Sequence, residues 1–247
     1  MRNKRLHRIT TAVVGLAFII FASGCSTFGG KRTADEWLSL AYSGLAATDQ
    51  YNFTGSMSME VASGVLLEPH TFQGKVVNHQ NMTIQSEQQG GVSYDWEPLQ
   101  VMKRLNESNA SVQFVPEREG QPEDTATVTL LVEEMPEATK ARWEQHLKGE
   151  MEQLALKGTD AAGATAEQQR LLEKELERSR HELEAMLSSL KAQAQYMLVI
   201  DKRSMLPLKM EETTKFHYVM RGKPAVESRH TSVRLDAFDG TYQQTVQ

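Results

Sequence analysis

Cysteine is nearly absent: the 247-residue chain has one, Cys25. A single thiol excludes an internal disulfide framework and any cysteine-built zinc or iron–sulfur centre. There is no surplus of positive charge either. Lys and Arg number 27 against 32 Asp and Glu, so the electrostatic footprint of a nucleic-acid binder is missing. Aromatic residues are only 7%, yet hydrophobic residues reach 40%, enough to bury a core and to exclude disorder of the whole chain. Catalytic signatures are also lacking. There is no Gly-x-Ser-x-Gly, no His-Glu-x-x-His, no phosphate loop and no dinucleotide glycine fingerprint. Asp236-Ala237-Phe238-Asp239-Gly240 lacks the spacing of a calcium loop. No nucleophile–base constellation is visible, so the chain reads as a non-enzyme with no catalytic residues, cofactor or metal. Its length allows one domain or two small ones.

The first 25 residues carry an address. Arg2, Lys4, Arg5 and Arg8 form a basic start, and Ile9 to Phe21 is a 13-residue apolar run interrupted by Thr10, Thr11 and Gly15. A membrane-spanning helix needs about 20 residues, whereas this length suits the apolar region of a secretory signal. Ala22-Ser23-Gly24-Cys25 follows and resembles the lipobox of bacterial lipoproteins, with Ala22 where Leu is usual. That resemblance implies cleavage between Gly24 and Cys25 and a diacylglyceryl group on Cys25. Two acyl chains anchor a protein stably where one does not. Removing residues 1–24 takes away four basic residues and no acidic one, which moves the formal charge from −5 to −9. Such a body is not drawn to anionic headgroups, so the acyl chains hold it to the membrane. The expected location is the outer face of the bacterial cell membrane, with an outer membrane also open. Residues 25–32 read as the lipidated cysteine and its tether.

The mature chain reads as α+β. Thr33-Ala34-Asp35-Glu36 has capping-box spacing, and Trp37, Leu38, Ala41 and Leu45 behind it repeat at helical period. Tyr51 to Val61 alternates strictly, with Tyr51, Phe53, Met57, Met59 and Val61 on one face. Strands are expected at 71–77 and 82–86, turning at Asn78-His79. A short helix opens at Trp96-Glu97-Pro98-Leu99, and strands follow at 111–115 and 125–133. From Pro136 to Ala194 β-branched residues nearly vanish. Trp143, Leu147, Met151 and Leu154 form one stripe. Leu172, Leu176, Leu183, Met186, Leu187 and Leu190 form another, with Leu176, Leu183 and Leu190 seven apart. This predicts a long helical hairpin over 137–194, coiled-coil-like, beyond a linker at 158–165. Acidic residues such as Glu173, Glu175 and Glu177 make its solvated face. Strands resume at Tyr196–Asp201. A last hairpin joins 208–220 to 227–238 near Arg221-Gly222-Lys223-Pro224. That turn brings His217 and His230 near register, a pair too small to hold a metal firmly.

The closing run Tyr196-Met197-Leu198-Val199-Ile200-Asp201-Lys202-Arg203-Ser204-Met205-Leu206-Pro207-Leu208-Lys209-Met210 carries a further resemblance. With the opening helix and Tyr51-Asn52-Phe53-Thr54-Gly55, it resembles the half-barrel lipoprotein superfamily that includes LolA, LolB, RseB and the LppX/LprG lipoproteins. The resemblance covers 33–135 and 195–240, and the helical segment departs from the pattern. It implies a curved, unclosed antiparallel barrel over 33–247, interrupted by the 137–194 insertion. It also implies a greasy interior and binding of a hydrophobic or lipid ligand.

An apolar sheet face is filled by its own side chains or left open as a cavity. Tyr51, Phe53, Met57, Met59, Phe72, Val76, Met82 and Ile84 are the candidate lining, and plain core is the alternative. The second functional reading follows the resemblance to RseB: a regulatory or sensor-like protein that docks a protein partner through the helical hairpin. Trp143, Leu147, Leu176 and Leu183 are the candidate partner-binding residues, and a mutual intramolecular pairing is their alternative.

Overall fold

The computed structural model describes residues 32–61, 64–79, 81–86, 97–108, 110–115, 126–159 and 165–239. The leader, Gly24, Cys25 and most of the tether lie outside the described residues. Four helices occur among the described residues: α1 (Ala34–Ala47), α2 (Pro98–Glu107), α3 (Pro136–Thr159) and α4 (Ala166–Ser189). The strands are β1 (Gln50–Glu60), β2 (His70–Val77), β3 (Asn81–Ser86), β4 (Ser111–Phe114), β5 (Thr127–Glu133), β6 (Lys191–Asp201), β7 (Pro207–Met220) and β8 (Lys223–Asp236).

Two of these helices, α1 and α4, start where side chains satisfy orphan N–H groups. At α1 the Thr33 hydroxyl accepts from the Glu36 N–H (3.2 Å), and the Glu36 carboxylate accepts from the Thr33 N–H (2.7 Å). Thr165 and Gln168 repeat this box at α4. Pro98 and Pro136 open α2 and α3, positions where a missing N–H costs nothing.

All eight strands join one antiparallel sheet in the order β3-β2-β1-β8-β7-β6-β5-β4. β3 and β4 are its two edges, so the sheet is not closed. The fold is therefore α+β with an open antiparallel sheet. One face carries Tyr51, Phe53, Phe72, Val76, Leu130, Leu198, Met210 and Val233, all buried in a core completed by Trp37, Leu38 and Leu45 of α1 and Val101, Met102 and Leu105 of α2. Two aromatic rings lie over glycines of the neighbouring strand. Phe53 faces Gly74 and Phe72 faces Gly55 across β1 and β2. A Cβ on either glycine would run into the ring opposite.

Two boundaries differ from the sequence reading. Helix α4 ends at Ser189, and β6 begins at Lys191, five residues before the expected Tyr196. Ala192 and Ala194 continue the inward phase of Tyr196, Leu198 and Ile200, and all five are buried. Small inward residues let helices lie close to the strand, so a helical composition takes strand form here. In the last hairpin, Arg221 (φ 52°) and Gly222 (φ 76°) form a two-residue turn that pairs Met220 with Lys223. β8 thus starts at Lys223 rather than Glu227. His217 stands opposite Val226 and His230 opposite Thr213, so the two histidines are not cross-strand partners.

Candidate functional site

The inward phase of β6, β7 and β8 changes chemistry along its length. Leu198, Met210 and Val233 form an apolar rung across the three strands. The next is Tyr196, Glu212 and Thr231, then Ala194, Thr214 and Arg229, then Ala192 and Phe216 opposite Glu227. A polar layer therefore separates the main core from a second apolar cluster of Trp143, Leu187, Leu190, Ala192 and Phe216.

Three arginines and two carboxylates make up that layer. Glu134, immediately after β5, and Glu212 of β7 are both buried. Thr139 donates to Glu134 Oε2 (3.0 Å), as does Arg142 Nη2 (2.9 Å). Arg142 and Arg104 also donate to the Tyr196 hydroxyl at 3.1 Å and 3.0 Å. Arg104 Nε lies 3.3 Å from Glu134 Oε1, off the direction of a hydrogen bond. Glu212 accepts from the Thr214 hydroxyl (2.8 Å) and from Arg229 Nη2 (3.4 Å), with Arg142 Nη2 at 3.6 Å. The Arg229 guanidinium stacks 4.4 Å over the Trp143 ring, and Trp143 meets Phe216 edge to face at 4.9 Å.

Burial and charge pull these groups in opposite directions. Burial works against charge on Arg142, but Tyr196, Glu212 and Glu134 outweigh it and hold its pKa above the ordinary value. On Arg229 burial dominates and lowers the pKa, with Glu212 opposing. Burial pushes the Tyr196 phenol up, reinforced by Glu212 and opposed by Arg142 and Arg104.

The layer borders a cavity of about 960 Å³ lined by residues of β1, β3, β8, α2 and α3. Its apolar wall includes Met57, Met82, Val101 and Trp143, and its cationic wall Arg104, Arg142 and Arg229. Glu97, Glu144, Glu150 and Glu152 lie around it with Lys148 and His146. Among the described residues no group of three His, Cys, Asp or Glu could hold a metal ion.

The expected lining residues divide. Tyr51, Phe53, Phe72 and Val76 are filled core, and Ile84 packs partly buried against it. Met57 and Met82 line the cavity, and Met59 is half-buried opposite Arg229. The expected partner-binding residues also divide. Trp143 is buried on the sheet side, Leu147 and Leu183 pack against its cluster, and Leu176 is half-buried outside it. Sequence reasoning missed Arg104, Glu134, Arg142, Glu212 and Arg229. The usable signal was Glu212 and Arg229 standing in the inward phase of their strands.

No family model and no curated protein matches the chain. Among solved structures it aligns with an acyl-CoA thioesterase II from Mycobacterium marinum at 11% identity, over 86% of this chain and 91% of that one, with a TM-score of 0.13. A similarity of that size carries no argument about fold or activity.

Proposed function

We propose that this chain is a membrane-anchored extracytoplasmic lipoprotein that takes up a hydrophobic or lipid ligand without altering it chemically. In this reading Cys25 carries the diacylglyceryl anchor on a plasma or outer membrane. The open sheet is curled as a half-barrel of the LolA-like kind, and α3 and α4 form the inserted hairpin. The observation that carries the proposal is the cavity of about 960 Å³ beside Met57, Met82 and Val101. Its volume is that of ordinary small-molecule sites, at roughly 300–1,000 Å³, and methionine adapts to irregular apolar shapes. The ligand site is placed in the cavity and not in the aromatic core, because Tyr51, Phe53, Phe72 and Val76 are buried against α1 and α2.

The test is native mass spectrometry of residues 27–247 purified without detergent, with organic extraction of the same sample. Near-stoichiometric co-purified lipid supports the reading. A chain that stays empty after incubation with mixed lipids overturns it.

One observation favours a second reading, a docking arm for a protein partner. Leu154, Leu156 and Leu171 are 54–66% exposed near the ends of α3 and α4 that face the 160–164 connection. Replacing all three with Gln would abolish such docking and leave lipid content unchanged.

A further inference from the structure

Resting on that reading and deepening it, we propose that the cavity selects an amphiphile with a single negative charge on its head, a phosphodiester or a carboxylate, seated against Arg142, Arg229 and Trp143. The first argument is charge. Arg104, Arg142 and Arg229 face Glu134 and Glu212, so the layer holds one positive charge in excess. Ionised groups in a desolvated setting are costly unless matched, and one monoanion matches this excess. The second argument is unused donors. The Nε–H groups of Arg142 and Arg229 and the indole N–H of Trp143 are buried and make no hydrogen bond among the described residues, and Arg104 Nε–H has only the misaligned Glu134 carboxylate. Trp143 is itself only 7% exposed. Such orphans are rare in folded proteins and call for an acceptor.

Access is the third argument. The three arginine side chains remain 15–29% exposed, and all three line the cavity together with Trp143. Arg229 is held over the Trp143 ring, 4.4 Å from its centroid, and a guanidinium suits two-oxygen recognition of phosphate or carboxylate. The surroundings set the charge limit. Glu144 faces Lys140 at 3.5 Å and Glu150 faces His146 at 3.4 Å, whereas Glu97 and Glu152 add negative charge at the cavity and Lys148 positive charge. A head with several negative charges meets more repulsion there than a monoanion does. Met57 and Met82 then take the apolar chain.

Binding is measured by calorimetry on the mature chain, residues 25–247 with Cys25→Ser, using four probes below their micelle concentrations. Oleate presents a carboxylate, oleoyl lysophosphatidylglycerol a phosphodiester, monoolein no charge, and inorganic phosphate no chain. At least one of the two anionic amphiphiles should bind about tenfold or more tightly than monoolein, the size expected from one to two charge-assisted hydrogen bonds. Whichever of the two is preferred identifies the head. Arg229→Gln makes the layer neutral while Glu212 keeps Thr214 and Arg142, and it should erase the preference by bringing the anionic probes to the affinity of monoolein for the same variant. Should that variant not fold, Trp143→Phe keeps the ring and removes the N–H, and it should lower affinity for the anionic probe alone. Equal binding of monoolein and both anions overturns the anion seat and leaves the ligand-binding reading standing. Failure of every chain-bearing probe overturns both. Inorganic phosphate bound as tightly as the lysolipid assigns the seat to a free anion and overturns the amphiphile.

Discussion

On the first half of β1 and the facing part of β2, the inward positions are closed by Tyr51, Phe53, Phe72 and Val76, and no charge enters. On β7 and β8, the same inward phase passes from Met210 to Glu212 and from Val233 to Arg229 within two rungs. The two regions share a sheet, a face and an antiparallel register. They differ in what completes them. The aromatic region is completed by its own rings and by α1 and α2. The charged region pairs carboxylates with guanidiniums but leaves donors over and borders a cavity. Stability alone favours the first arrangement, since well-packed apolar groups serve at least as well as buried ion pairs. The second is the region whose polar groups are left partly unpaired.

The comparison can be broken by mutation. The largest effects are expected from removing one member of each region. Phe53→Ala should cost about 3–5 kcal/mol through cavity formation. Glu212→Ala should cost about 3–5 kcal/mol, because it strands Arg229 among buried groups. Urea unfolding monitored by circular dichroism measures both. If Glu212→Ala were silent, the layer would be well hydrated and the contrast between the regions would collapse. Next in size, Gly74→Ala should cost about 1–3 kcal/mol, because the new methyl meets the Phe53 ring in a filled space. A matched pair of tyrosines sharpens the contrast. The Tyr51 hydroxyl lies near the Leu99 backbone without a well-formed hydrogen bond, so Tyr51→Phe should change stability by less than about 1 kcal/mol. Tyr196→Phe removes the acceptor of two guanidiniums and should cost about 1–3 kcal/mol by the same unfolding measurement.

The smallest effect is a pH dependence. Burial, reinforced by Glu212, raises the Tyr196 phenol above its ordinary value of 10.0. The folded chain therefore holds this proton more tightly than the unfolded chain. The contribution is complete below pH 10 and is lost as pH rises above it. The stability gap between wild type and Tyr196→Phe should narrow above pH 10, and a gap that widens there would contradict the burial of this hydroxyl. Melting temperatures between pH 8 and 11 decide it.

Much of the fold was legible because its signals are local. The capping box at Thr33–Glu36 and the alternation from Tyr51 to Glu60 are each contained in one element. The start of β6 was not legible, because Lys191-Ala192-Gln193-Ala194 has a composition that helices favour and takes its form from packing. The charged layer was the least legible part. Its members come from α2, the residue after β5, α3, β7 and β8, and no spacing along the chain brings them together. Only the register across β7 and β8 does.

That register has a temporal consequence. β1 is hydrogen-bonded to β8 through Asn52↔Asp236 to Glu60↔Ser228, so strands from opposite ends of the described chain are neighbours in the middle of the sheet. Nothing nearer in sequence can complete that side of β1, because β2 takes the other. A chain synthesised in N-to-C order must therefore hold β1 with an open edge until Asp236 has been made. Pairings of such long range are slow to form, and an unpaired edge in the meantime invites association with other chains. Folding of this protein is expected to finish only after the whole sheet-forming chain has been synthesised, and to depend on whatever shields that strand while it waits.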